Sequence, residues 1–385
     1  MLRFLTSGES HGKALVAILE GLPAGLVLDL EFLNKELARR QLGYGRGGRM
    51  KIEQDTVEIL SGVRFGKTLG SPIALVIENR DWKNWRDKMA VEPGSGGFEP
   101  ITRPRPGHAD LAGLLKYGET DIRNILERSS ARETAARVAI GAVAKTLLKM
   151  MEISIFSHVT RIGREEAKIN RLPDMKDLEE IDKSPVRCLD SRASQKMVEE
   201  IDRATEEKDS LGGTFEVLVF GCPPGLGSYT SWETRLDGRL SRALMSIPAI
   251  KGVEIGEGFK LAVLRGSQAH DEIFYEAGKD FYRKTNRAGG IEAGITNGET
   301  LVLRAAMKPL PTLGRPLGTV DVITKQPAEA FRERADICAV PAAAVIGEAV
   351  IAIEVARAAL EKFGGDSLGD FKDNYRNYRE RIKKL

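Results

Sequence analysis

Two segments of this chain are apolar around most of their circumference. One contains AIGAVAKTLL within a helical pattern over 131–151; the other contains AAAVIGEAVIAIEVA and spans about 341–363. A helix with one apolar stripe can rest on a single layer, but one apolar on several sides must be covered on more than one. The chain is therefore restricted to folds that bury helices between layers. Each segment follows an Arg-rich loop, which hints at a duplicated half.

The remaining periodicity supplies those layers. Residues 2–6, 14–21, 55–63, 72–79, 153–162, 214–221 and 300–307 read as strands, and 30–41, 192–207 and 235–246 as helices, the first with Asp29 as N-cap. The fold class is α+β. No strand is followed by the Gly-x-Gly-x-x-Gly of a Rossmann flavoprotein. The segment Gly62-Val63-Arg64-Phe65-Gly66-Lys67-Thr68 imitates a phosphate-binding P-loop, but only three residues separate its glycines and it leads into a strand, so that reading is rejected. Residues 80–102 form a long polar loop, a candidate lid. The charged tail from Asp366 reads as a surface appendage.

Charge narrows the function. With 58 basic and 55 acidic residues the net charge is +3, so any positive patch is local, a poor match to a general nucleic-acid binder. Cys188, Cys222 and Cys338 lie far apart and in no ligand spacing, which argues for neither a disulfide framework nor a metal site and for a reducing compartment. Glu9, His11 and Lys13 interrupt the N-terminus where a signal peptide needs an apolar core, and no run reaches transmembrane length. The expectation is a soluble cytoplasmic protein without a membrane segment.

The chemistry concentrates in Arg103–Arg137, RPRPGHADLAGLLKYGETDIRNILERSSARETAAR. Its arginines sit among prolines, glycines and serines, where turns can aim them at an anion. Ser130 and Glu133 fit a capping box opening the Ala-rich helix, whose N-terminus with Arg128 and Arg132 is a ready anion site. His108 lies in PRPGHAD. His11 lies in SGESHGK at a strand end, as a surface turn residue or as a proton donor near neutral pH. The run ARRQLGYGRGGRMK carries Arg39, Arg40, Arg46, Arg49 and Lys51 among four glycines. It reads as a flexible basic loop, an RNA-binding segment, or a mobile loop closing over a polyanionic small molecule.

The strings GESHG, RPGHAD and RSSARET, in this order and spacing, resemble the chorismate synthase family, and the resemblance extends over nearly the whole chain. It implies one domain over 1–385, with 366–385 as a charged tail, and a β-α-β sandwich with helices between antiparallel sheets. The implied reaction is a reduced-FMN-dependent 1,4-anti elimination of phosphate from 5-enolpyruvylshikimate 3-phosphate, giving chorismate. By the same match His108 protonates the departing phosphate, His11 serves the reduced flavin, and Asp336 helps accept the proton through flavin N5. Ser10, Arg40, Arg46, Arg49, Arg105 and Arg132 are the substrate candidates, with NADP as the alternative ligand of Arg40 and Arg46. FMN falls to Arg128, Ser129, Ser130, Pro248, Ala249, Ala293, Lys308, Pro309, Leu310, Pro311, Thr312 and Arg334. Most relatives have glycine at the position of Ala293, and His or Ser at that of Ala335. A homotetramer is implied, with NADPH or an external flavin reductase as the source of electrons.

Overall fold

The computed structural model describes residues 1–47, 54–93, 98–278, 280–333 and 335–384. The chain opens with strands β1 (Arg3–Ser7) and β2 (Ala14–Glu20), helix α1 (Leu30–Gln41), strand β3 (Val57–Ile59), the hairpin β4 (Val63–Arg64) and β5 (Lys67–Thr68), and β6 (Ile73–Glu78). After a long connection come α2 (Asp110–Tyr117), α3 (Arg123–Ser129) and α4 (Thr134–Lys149). Next are β7 (Ser154–Ile162), β8 (Glu165–Glu166), α5 (Leu178–Lys183), α6 (Ser191–Glu206), β9 (Gly213–Phe220), α7 (Leu236–Met245), β10 (Ile250–Ile255) and α8 (Gly266–Ala269). Two hairpins follow, β11 (Ile273–Glu276) with β12 (Asp280–Arg283) and β13 (Ile291–Glu292) with β14 (Ile295–Thr296). β15 (Leu301–Met307), a further hairpin of β16 (Gly318–Val320) and β17 (Pro327–Glu329), α9 (Val340–Phe363) and α10 (Leu368–Ile382) complete the chain.

Two antiparallel sheets result, ordered β1-β2-β6-β3 and β8-β7-β9-β15-β10. In the first, alternate residues Leu15, Ala17 and Leu19 of β2 and Ile73, Leu75 and Ile77 of β6 are buried, the period of a sheet with one covered face. α4 packs on β2 and β6, α9 packs on β7 and β9, and α4 and α9 pack on each other. At their contact a Cβ on Gly141 would stand 2.4 Å from the Cβ of Ala349, so only glycine permits this approach. Such two-sided cover is why both helices are apolar nearly all round.

The hint of duplication becomes concrete here. With insertions removed, each half runs strand, strand, helix, strand, small hairpin, strand, long helix, and β1-β2-β6-β3 corresponds to β7-β9-β15-β10 in sheet order. The local chemistry repeats as well. Thr68 Oγ1 donates to Pro23 O at 2.6 Å and accepts from Leu26 N at 2.9 Å; Thr296 Oγ1 donates to Pro223 O at 2.7 Å and accepts from Leu226 N at 2.8 Å. GVRFGKT (62–68) and GIEAGIT (290–296) thus build one device twice. The P-loop look-alike is the first copy, a hairpin pairing Val63 with Thr68. In the second copy Ala293 (φ 49°) and Gly294 (φ 83°) form its turn, a two-residue hairpin turn with both residues left-handed, which favours Asn or Gly over Ala. The methyl of Ala293 therefore sits at a strained position.

Three expectations need correcting. The tail is no appendage: Ser367 and Asp370 form a capping box, and α10 buries Phe371 and Tyr375 against Phe363. The box expected at Ser130 and Glu133 does not close. Ser130 Oγ accepts from Arg132 N at 3.3 Å and opens a 3₁₀ turn, while the Glu133 carboxylate pairs with Arg137 one turn on at 2.6 Å, a charge-assisted bond. Arg39 and Arg40 of the basic run lie in the last turn of α1, the helix expected over 30–41, so the flexible-loop reading fails for these two. Arg39 turns to the core, where Glu348 of α9 also accepts from Lys145, Arg187 and Ser157. Breaking such a buried ionic cluster by removing one partner costs about 3–5 kcal/mol.

Candidate active site

The long connections after β6 and β15, the turn between β1 and β2 and the segment after α1 enclose a cavity of about 1000 Å³, the upper end of the range for small-molecule sites. Among the described residues, five cations line it: Arg40, Arg46, Arg105, Arg132 and Lys308. His11 and His108 line it too, with Ser10, Ser129, Ser130, Pro248, Ala249, Leu310, Pro311, Thr312 and Asp336.

Each histidine carries a carboxylate on its Nδ1. Asp110 begins α2, two residues after His108, and its Oδ1 lies 2.5 Å from His108 Nδ1. The same carboxylate accepts from the backbone N–H, Nε and Nη2 of Arg105 at 3.0, 2.8 and 3.0 Å. Burial pushes the Asp110 pKa up, but the hydrogen bonds from His108 and Arg105 outweigh it and hold the carboxyl well below its usual range. Arg105 reaches on to Thr312 Oγ1 at 2.9 Å, and Lys308 donates to Gly107 O, which ties the two long connections together. His11 pairs with Glu127 of α3 at 2.9 Å and stacks on Trp85, ring centroids 3.9 Å apart.

The arginines are fixed rather than splayed. Arg40 and Arg132 share Asp55, at 3.3 and 2.5 Å, and Arg132 also donates to Asn79 at 2.9 Å. Two cations on one carboxylate leave a net positive charge, and burial brings the Arg40 pKa down to about 10 against the pull of Asp55. This is a surface primed for an anion. Arg46 meets Asp336 at 3.4 Å, and Gly47 N donates to the same carboxylate at 2.7 Å. With Arg39, Arg40 and Arg46 engaged by Glu348, Asp55 and Asp336, the described part of the basic run does not present a row of outward charges for RNA.

Several expected residues lie elsewhere. Arg128 turns away, donating to the carbonyls of Thr6 and Gly8 on the β1 side. Pro309 is absent from the cavity lining, its neighbours Lys308 and Leu310 being present, and Ala293 sits at the β13–β14 turn, outside the lining. Ala335 lines the cavity, and its carbonyl packs so close to Gly47 that a Cβ there would approach to 2.9 Å. Arg49 and Arg334 lie outside the described residues. His270 is exposed, and the buried His158 pairs with Glu216 on the neighbouring strand. Reading the sequence missed Glu127, Arg123, Asp110, Asp55, Asn79 and Trp85. Asp110 had a signal, two residues from His108; Asp55 and Asn79 had none. The supposed lid contributes Asp81, Asn84 and Trp85 to the wall.

The pocket fits a flavin nucleotide. Leu126, Met307, Leu310 and Pro311 supply apolar surface for a ring, Ala249 at φ 68° turns its backbone at the wall, and the cations suit an anionic tail. The model of the chorismate synthase family matches residues 2–360. The chorismate synthase of Desulforudis audaxviator (strain MP104C) is 60% identical over 384 residues, covering 100% of this chain and 98% of that one. That of Moorella thermoacetica is 58% identical with both chains fully covered. A crystal structure of chorismate synthase superposes with a TM-score of 0.80 at 46% identity, covering 100% of this chain and 99% of the other. The cavity, its paired histidines and a match along the whole chain lead to one conclusion: the chain belongs to the chorismate synthase family.

Proposed function

We propose that the cavity holds 5-enolpyruvylshikimate 3-phosphate against reduced FMN, with His108 and His11 as its two proton donors. The reaction of the family, and of this chain, is the elimination that gives chorismate: phosphate leaves C3 and a hydrogen leaves C6, with no net redox change. Bound reduced FMN supplies the electron density that helps the phosphate depart and recovers it as the hydrogen leaves. The observation that carries the reading is two histidines, each held by a carboxylate, facing one cavity ringed by five cations.

The chain's own groups divide the work. Arg40 and Arg132, sharing Asp55, and Arg105 beside His108 bind phosphate and carboxylates. Arg49 belongs with them by motif, and Arg40 and Arg46 serve a phosphate of the substrate or of NADP. His108 gives its proton to the leaving phosphate, lowering the charge on a poor leaving group. Asp336, held by Gly47 N, takes part in accepting the C6 proton. Ser129, Ser130, Pro248, Ala249, Lys308, Leu310, Pro311 and Thr312 hold the flavin, joined by Arg334. The arrangement of α4 and α9 supports the β-α-β sandwich. We place the enzyme in the cytoplasm, in keeping with three free buried cysteines; among the described residues no helix is long and apolar enough to cross a membrane.

Self-association to a homotetramer is supported by the exposed apolar hairpin, where Ile273, Tyr275 and Phe281 stand more than half exposed. Sedimentation should give four chains per particle. The deciding assay is anaerobic, with reduced FMN and 5-enolpyruvylshikimate 3-phosphate, following chorismate. No product under those conditions overturns the reading. Comparing NADPH plus FMN with dithionite-reduced FMN separates an enzyme that reduces its own flavin from one served by an external reductase.

A further inference from the structure

Glu127 is gripped from three sides. Its Oε2 accepts from the backbone N–H of His11 at 2.8 Å and lies 2.9 Å from the ring Nδ1, while Oε1 lies 3.0 Å from the same nitrogen and accepts from Arg123 Nη1 at 2.8 Å. Its own carbonyl accepts from Ser10 N at 2.9 Å, so one residue of α3 holds the β1–β2 turn by main chain and side chain together. The side chain is 2% exposed. Burial raises its pKa, but hydrogen bonds from His11 and Arg123 outweigh that and keep the carboxyl below its usual range. An ionised carboxylate only accepts, so Nδ1 must carry the hydrogen that faces it. Nε2 is then the ring nitrogen left to exchange a proton. Trp85, stacked at 26° to the imidazole, limits its tilt, and Arg123 links Glu127 onward to Glu333 at 3.2 Å.

We propose that Glu127 is the positioning residue of His11, setting its tautomer and presenting Nε2 to the cavity. The proposal rests on the reading of His11 as a proton donor. An amide at 127 cannot replace the carboxylate. With its oxygen towards His11 its NH₂ confronts Arg123; turned round, its NH₂ confronts the His11 backbone N–H and donates to Nδ1, favouring the other tautomer.

The test is a cycle of Glu127→Gln, His11→Ala and the double variant, assayed with reduced FMN, together with ¹⁵N spectra of histidine-labelled, flavin-free protein. Glu127→Gln should lower kcat by about 10–100-fold, the range for residues that orient a functional histidine, with KM little changed, and should cost nothing further in the His11→Ala background. The His11 ring should report Nδ1–H in the parent protein and a shift towards Nε2–H in Glu127→Gln. Glu127→Asp, which keeps the charge, should recover part of the rate and guards against a Gln variant that fails to fold. An unchanged tautomer, or an equal loss in the presence and absence of His11, overturns the proposal. Normal turnover of His11→Ala would instead refute the role of His11, with the spectra still deciding what Glu127 does to the ring.

Discussion

His108 takes its carboxylate from two residues along the chain, and His11 takes its own from 116 residues away. In the first pair Arg105, His108 and Asp110 lie on one turn leading into α2, and a fully buried Asp110 takes three bonds from Arg105 alone. In the second, α3 must be packed against the β1–β2 turn before Glu127 meets His11, and Arg123 divides itself between Glu127 and Glu333. The chemistry is the same and the dependence on the rest of the fold is opposite. The His108 unit should persist through loosening of the molecule that would separate His11 from its partner.

The comparison breaks most visibly at His108, the proposed proton donor. His108→Ala should lower kcat by about 10²–10⁴-fold with pre-reduced FMN, the usual worth of general acid catalysis, and steady-state kinetics showing near-full turnover would remove its acid role. Next in size is the buried carboxylate. Asp110→Asn strands the Arg105 guanidinium and should cost about 3–5 kcal/mol of unfolding free energy, whereas Glu127→Gln, which leaves Arg123 paired with Glu333, should cost about 1–3 kcal/mol. Denaturant titration orders the two, and equal losses would mean that the two anchors are equivalent.

Acid sharpens the contrast. Both carboxyls titrate below their ordinary values in the fold, Asp110 by the larger shift. Their contributions to stability are therefore complete above the unfolded pKa, near 4, and vanish as pH falls through the folded values. The His11 anchor should be lost first on acidification. Thermal unfolding below pH 5 should show Glu127→Gln flattening the upper part of the decline and Asp110→Asn the lower part. The smallest effect belongs to the stacked ring: Trp85→Leu removes an interaction of about 0.5–1.5 kcal/mol, so the contribution of His11 should fall by roughly two- to tenfold while that of His108 is untouched. A Trp85→Leu rate equal to the parent's would mean the stack does not restrain His11.

The two halves of the chain carry the same lesson about legibility. The Ala-rich helices, the strands and the Asp29 cap were readable because hydrophobic period and capping act over a few residues, and the resemblance of the helices at 131–151 and 341–363 already pointed to duplication. The correspondence of sheet orders and of Thr68 with Thr296 was not readable, since GVRFGKT and GIEAGIT share only three of seven residues. The α10 helix was misjudged for a related reason. Its charge dominates its composition, while two aromatic residues, Phe371 and Tyr375, four apart on one face, decide where it lies.

The sequence by itself determined the elements, the family and the closeness of Arg105 to His108 in one short loop, because each of these is written within a few residues or in strings specific enough to recognise. Only the tertiary structure decided that Asp55 would be shared by Arg40 and Arg132, that Arg128 would turn away, and that Glu127 would hold His11. Those outcomes depend on chain closure over tens to hundreds of residues. Burial then strengthens the contacts that closure makes, and nothing in the local pattern of a carboxylate announces the cation it will meet.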